Sequence, residues 1–253
     1  MILNFRLLNK NIYRVVMTIG TLSFWLAATT SAWADYAPPS PPETPSDYTT
    51  DSAGRRGGCQ EITGIPLTPL APSKHVGQTV STRPTFAWFV PNSANFPMEF
   101  KLYEYDENGN PVTIGEPISL SSSAGIVRLP LLEQQPNLMV GKTYLWQVQI
   151  ICDPDNPSRN PLARADIKVV EMPPSLEREL ANTTEHSERV NLFGEAGLWY
   201  SALEEALNFA DDAKLGDAGA SLLEDLAKLE EVEVRERMSL RIEDLRQIAT
   251  EQR

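Results

Sequence analysis

The sequence predicts a multi-part α+β protein, a β-sandwich followed by an acidic α-helical C-terminal region, and three observations lead there. Between Ile62 and Val170, short apolar alternations are separated by proline, glycine and asparagine, the pattern of a two-layer β-structure. After Pro173 and Pro174 the apolar period lengthens from two to between three and four, which is helical. Ahead of both, basic, apolar and small residues follow one another in the order of an export signal.

The export signal comes first. Arg6, Lys10 and Arg14 precede an apolar run from Val15 to Ala28, and Ala32-Trp33-Ala34 places small residues where a signal peptidase cuts. The run is shorter than the roughly 20 residues a bilayer span needs, so residues 1–34 are expected to be a cleaved signal peptide. An uncleaved anchor is the alternative. Cleavage removes three basic side chains and no acidic one, taking the formal charge from −12 to −15. A chain this acidic repels phosphate backbones and anionic bilayers, which argues against nucleic acid as a partner and against stable membrane insertion after cleavage. The expected location is periplasmic or secreted.

Residues 35–58 carry five prolines and almost no aliphatic side chains. They lack the material for a core and read as a disordered, proline-rich linker. Arg55 and Arg56 beside Gly57 and Gly58 read as a solvated turn.

Residues 59–172 hold the predicted sandwich. Ile62 to Leu70 is broken by Pro66 and Pro69 and suits an edge strand. Thr85 to Val90 puts Phe86, Trp88 and Val90 on one face, and Glu99 to Tyr105 turns Phe100 and Leu102 inward. Asp106-Glu107-Asn108-Gly109-Asn110 has hairpin chemistry. Val112 to Leu120, Ile126 to Leu131 and an alternating strand through Ala165, Ile167 and Val169 follow. The strongest alternation lies in Leu138 to Asp153, where Tyr144, Trp146, Val148, Ile150 and Cys152 share a face against Leu145, Gln147, Gln149 and Ile151. Trp88, and the corner made by Leu138, Gly141 and Tyr144 ahead of Trp146, resemble fibronectin type III and related immunoglobulin-like sandwiches. There the tyrosine hydroxyl ties down the corner preceding its strand. With Cys59 and Cys152 exported together, the simplest expectation is one disulfide stapling the end of the linker to the sandwich. Two unpaired thiols are the alternative.

Residues 173–253 are read as helical, and those from 174 on hold 19 acidic and 9 basic side chains. Leu176 and Leu180 start a first stripe, and Asn182 with Glu185 resembles an internal capping box. Val190 and Phe193 continue it, and Gly194 to Gly197 reads as a turn. Trp199, Leu203, Ala206 and Ala210 form the next stripe, Leu222, Leu223, Leu226 and Leu229 a third, and Val234, Met238, Ile242, Leu245 and Ala249 a fourth. Gly197, Trp199, Ala202 and Leu203 resemble the second helix of a tetratricopeptide unit, although the position one repeat later holds Glu231. An ordinary helical hairpin accounts for the same residues.

Little chemistry is signalled. The two histidines after the signal, His75 in a Ser-Lys-His loop and His186 on a polar helix face, read as solvated. The sequence contains no G-x-S-x-G elbow, Walker loop, H-E-x-x-H or Cys-x-x-Cys. The acidic loops at Asp106 to Asn110 and Asp153 to Asn156 supply fewer oxygens than the roughly six of a calcium loop and read as turns. No enzyme, cofactor or metal site is therefore expected. The expected role is a protein-interaction or adaptor module of the cell envelope, contacting a partner through Trp199, Tyr200 and Phe209 on the tail. A ligand-sensing partner of a membrane receptor is the alternative, and a hydrolase a more distant one.

Arg55 to Cys59, Arg83 to Trp88, Gly141 to Trp146, Ile151 to Pro154 and Gly197 to Tyr200, taken together, resemble one family, the uncharacterised exported cyanobacterial proteins grouped as domain of unknown function 928. The resemblance spans about residues 55 to 250. It implies export and the two-part layout, and it brings no activity. Family members are often encoded beside membrane sensors and repeat proteins, which implies a setting in signalling or surface assembly.

Overall fold

The alternations become strands in a computed structural model, which describes residues 35–49, 64–91, 95–231 and 236–253. The expected export signal and Cys59 lie outside the described residues. The strands are β1 (Thr68–Pro69), β2 (Gly77–Thr79), β3 (Thr85–Val90), β4 (Pro97–Tyr105), β5 (Pro111–Ser121), β6 (Gly125–Pro130), β7 (Thr143–Ile150) and β8 (Leu162–Val169). They form a three-stranded sheet in the order β1-β3-β6 and a five-stranded sheet in the order β2-β8-β7-β4-β5. Pairing is antiparallel except between β2 and β8. β2 has no counterpart in the sequence reading, because Gly-Gln-Thr is too short to show a period.

Four rings join the sheets. Phe86 on β3 lies 5.0 Å from Phe100 on β4 and 5.6 Å from Trp146 on β7, while Trp88 lies 6.0 Å from Phe100 and 6.2 Å from Trp146. Tilted and offset arrangements at these centroid distances suit the ring quadrupoles and add to the area the rings bury. Tyr144, Val148 and Ile150 fill the same face of β7. The corner before β7 closes as expected of its residues. Gly141 takes a φ of +87°, and the Tyr144 hydroxyl accepts the Met139 amide at 2.9 Å.

The described residues of the tail form α1 (Pro174–Asn182), α2 (His186–Glu195), α3 (Trp199–Leu207), α4 (Gly216–Glu231) and α5 (Glu236–Glu251), joined by short non-helical links. Among the described residues, no helix is long and apolar enough to cross a membrane. The expected capping box between Asn182 and Glu185 does not form. Asn182 closes α1, its amide donating to the Arg178 carbonyl at 2.7 Å, and Glu185 precedes α2 without a side-chain cap. Pro173 and Pro174 start a helix that ends at Asn182, leaving a break before α2.

α3 anchors the helices to the sheets. Trp199 donates its indole N–H to the Leu70 carbonyl at 2.9 Å, and Glu204 accepts the Thr85 hydroxyl at 2.8 Å. Tyr200 accepts the Trp146 indole N–H at 2.8 Å and donates to the Asp166 carbonyl at 2.9 Å. Gly77 makes room for this ring, since a Cβ there would sit 2.6 Å from Tyr200 Cε2. The first residues after α3 reach β6, where Arg128 pairs with Asp212 and the Ile126 amide donates to the Ala213 carbonyl.

Residues 35–49 correct the expectation of a disordered linker over that part of it. Tyr36 is buried at 3% exposure with its ring edge-on to Trp199 at 4.9 Å, and the Ala37 amide donates to the Gly194 carbonyl. Further on, the Ser46 amide donates to Asp166 at 2.6 Å and Glu43 pairs with Lys168 at 2.5 Å, so the segment crosses the outer face of β8. Its prolines keep it from forming a core of its own, but an extended chain can still lend a tyrosine and a carboxylate to another surface. On the outer face of β7, Leu145 and Gln147 are buried too, the Gln147 side chain accepting from Arg164 Nε at 2.8 Å.

Candidate functional site

The residues singled out on the tail divide in two. Trp199 and Tyr200 are sealed in the seam between α3 and the sheets, with both polar ring atoms bonded, so they are packing residues and cannot meet a partner. Counting apolar stripes on the helices could not reveal this, because the cover comes from Leu70, Trp146 and Tyr36, all distant in sequence. Phe209 alone stays at the surface, 57% exposed, with the His186 ring stacked on it.

Further exposed apolar side chains, absent from the sequence reading, lie in the loop between β6 and β7, where Leu132, Met139 and Val140 are 40, 58 and 48% exposed. Their neighbours Leu131 and Leu138 are buried, and the loop is bound on every side. The Leu131 amide donates to the Pro84 carbonyl and the Leu138 amide to that of Thr82. The buried Gln135 donates to the Glu116 carbonyl on β5 at 2.6 Å. The Arg83 guanidinium gathers the loop's interior, donating to the carbonyls of Leu131, Leu132 and Gln135 and to the Asn137 side chain. One fork of donors thereby fixes four points of one loop, a use of arginine's planar geometry that lysine could not match. The apolar side chains are thus presented on a rigid support, with the exposed Glu116 and Glu133 nearby. The signal available in the sequence was the run Leu138-Met139-Val140, more apolar than a corner with one inward position requires.

Trp88 and Trp146 lie in the core between the sheets, and Gly141 and Tyr144 make the corner. Cys152 follows β7, half-buried, with its amide donating to Asn160 at 3.1 Å. Both acidic loops hold turn chemistry. Asp106 accepts the Asn108 and Asn110 amides, which hold its carboxyl below the usual carboxylate range, and Asp153 accepts the Asn156 amide.

His75 is a correction, being 5% exposed and not solvated. Its Nε2 lies 2.6 Å from the Tyr36 hydroxyl. Beyond it, Glu230 on α4 pairs with Arg241 on α5 at 2.9 Å, both fully enclosed. The free oxygen of Glu230 accepts the Ser73 amide at 2.7 Å and its hydroxyl at 2.9 Å, and Arg241 also donates to the Ala71 carbonyl at 2.5 Å. Burial pushes the His75 pKa down, partly opposed by Glu230, and pushes that of Tyr36 up. The pair is therefore held neutral, its hydroxyl and imidazole joined by one hydrogen bond. Four segments meet at this buried polar cluster.

The family model described as Domain of Unknown Function (DUF928) matches residues 51–236, and the chain belongs to this family. No curated protein matches it.

Proposed function

We propose that this member of the DUF928 family is a non-catalytic interaction module of the cell envelope, periplasmic or secreted after removal of residues 1–34, that binds a partner protein through Leu132, Met139 and Val140. The carrying observation is the brace of the loop that bears those side chains. Arg83 bonds four acceptors of the loop while three large apolar side chains of the same loop face water. A rigid loop that keeps apolar groups exposed loses little conformational entropy on docking, which favours affinity. The partner is read as a protein surface with an apolar patch flanked by cations, because Glu116 and Glu133 lie beside the patch and the chain's net charge of −12 opposes an anionic bilayer.

An immunoglobulin-like assignment of the two sheets belongs to the same proposal. It is supported by the strand orders, by Trp88 and Trp146 between the sheets, and by the Tyr144 corner. The Cys59–Cys152 disulfide is proposed as well, and peptide mapping without reductant tests it by recovering both cysteines in one linked fragment.

A photo-crosslinking side chain at position 139, compared with one at exposed position 113 on β5, tests the interaction reading. Site-specific crosslinking to one envelope protein, lost in the variant Leu132→Ser/Met139→Ser/Val140→Ser with an unchanged melting curve, is the expected result. Equal crosslinking from both positions, or none from 139, refutes it.

A further inference from the structure

We infer that residues 36–48 form an acid-released strap, latched to the folded body where Tyr36 meets His75 and freed from the outer face of the five-stranded sheet when His75 takes up a proton. The strap is held at three places. Tyr36 inserts between His75 and Trp199 at one end. In the middle, the Glu43 carbonyl accepts the Val76 amide at 2.9 Å and the Glu43 carboxylate meets Lys168. At the other end, Ser46 donates its amide to Asp166, and the Tyr105 hydroxyl bonds both Ser46 and Asp166 at 2.7 and 2.6 Å.

The latch depends on protonation because of its geometry. With the Tyr36 hydroxyl, whose proton is retained by burial, taken as the donor to Nε2, His75 is the neutral Nδ1–H tautomer. A proton on Nε2 would turn the Tyr36 hydroxyl from donor to acceptor, deprive its own proton of that nitrogen and place a cation in a site closed to water. From α4, Glu230 faces the imidazole and favours the cation, but its carboxylate is already engaged by Arg241 from α5 and by Ser73. Desolvation therefore dominates, and the docked His75 has a lowered pKa. Lifting the strap removes the Tyr36 ring and returns the imidazole towards its ordinary value of about 6.5. The sign follows. Docking is at full strength above about 6.5 and weakens as pH falls from there towards the docked value, with the undocked fraction rising up to about tenfold per pH unit.

Amide hydrogen exchange on the full oxidised protein at pH 7.5, 6.5 and 5.5, corrected for intrinsic rates, tests the device. The expected result is that protection of the Ala37, Ser46 and Val76 amides drops up to tenfold per unit below pH 6.5, while the amides of the β7–β8 ladder keep theirs. His75→Gln, which cannot gain a charge, should keep the strap protected and flatten its pH dependence. Strap protection that ignores pH in the wild type overturns the inference, as does loss in step with the β7–β8 ladder, which reports general unfolding. So does a pH dependence that survives in His75→Gln. Should that variant not fold, the imidazole titration of wild-type His75 by NMR decides, a midpoint at or above 6.5 being the overturning outcome.

Discussion

The Tyr144 hydroxyl accepts the Met139 amide at 2.9 Å, across a corner whose Gly141 takes a φ of +87°. Because the phenol is buried at the start of β7, removing its oxygen leaves the Met139 N–H without that acceptor beside the core. Tyr144→Phe should destabilise the protein by about 1–3 kcal/mol. Urea denaturation measures this, and an unmoved midpoint removes the corner's structural role.

Gly77 and Tyr200 are coupled by close approach, a Cβ on the glycine falling 2.6 Å from the ring. Gly77→Ala should cost about 1–3 kcal/mol through overpacking of the seam between β2 and α3. In a Tyr200→Ala background the same substitution should cost far less, because the atom it strikes is gone. A double-mutant cycle in urea reads the difference, and additive effects would mean that the two residues do not share a space.

Which parts are legible in the sequence follows from where the determining contacts lie. β3, β4 and β7 are readable because one face of each packs against the other sheet, so the alternation of Phe86 with Trp88, or Trp146 with Val148, is written into neighbouring residues. β2 is not, since three residues join β8 only through tertiary pairing. Tyr36 sits in a proline-rich run whose composition correctly denies it a core but says nothing of a cleft between His75 and Trp199. Trp199 and Tyr200 read as surface in the sequence because a helical stripe shows that cover is needed and does not show what supplies it. The loop at Leu132 to Val140 carries no local sign of its rigidity, because its brace, Arg83, comes some 50 residues earlier.

Glu204 offers a test of pH dependence. It is half-buried on α3, where burial raises its carboxyl pKa although the Thr85 hydroxyl donates to it. A carboxyl with a raised folded pKa favours the fold when neutral, so this contribution is present below the unfolded value and is lost as pH rises through the folded one. Glu204→Gln keeps an acceptor for Thr85 and discards the charge. Its melting temperature should exceed that of the wild type at pH 7, with the gain vanishing near pH 3. A variant no more stable at pH 7 would show that the Thr85 bond to a charged oxygen outweighs desolvation.

The enclosed pair of Glu230 and Arg241 joins α4, α5 and the Ala71–Ser73 segment, and its two members should respond unequally to removal. Arg241→Met leaves the Glu230 carboxylate, which Ser73 also bonds, in a closed site without its cation, a loss of about 3–5 kcal/mol. Replacing both, as Arg241→Met/Glu230→Gln, removes the charge together with its partner, while the new side-chain amide oxygen still accepts from Ser73. The double variant should therefore recover much of the single variant's loss, since a buried ion pair adds little net stability over neutral groups of similar volume. Urea denaturation at pH 7 compares the three proteins. If the double variant is as unstable as Arg241→Met, the pair itself holds the helical hairpin to the Ala71–Ser73 segment, and the expectation that its desolvation nearly cancels its attraction fails.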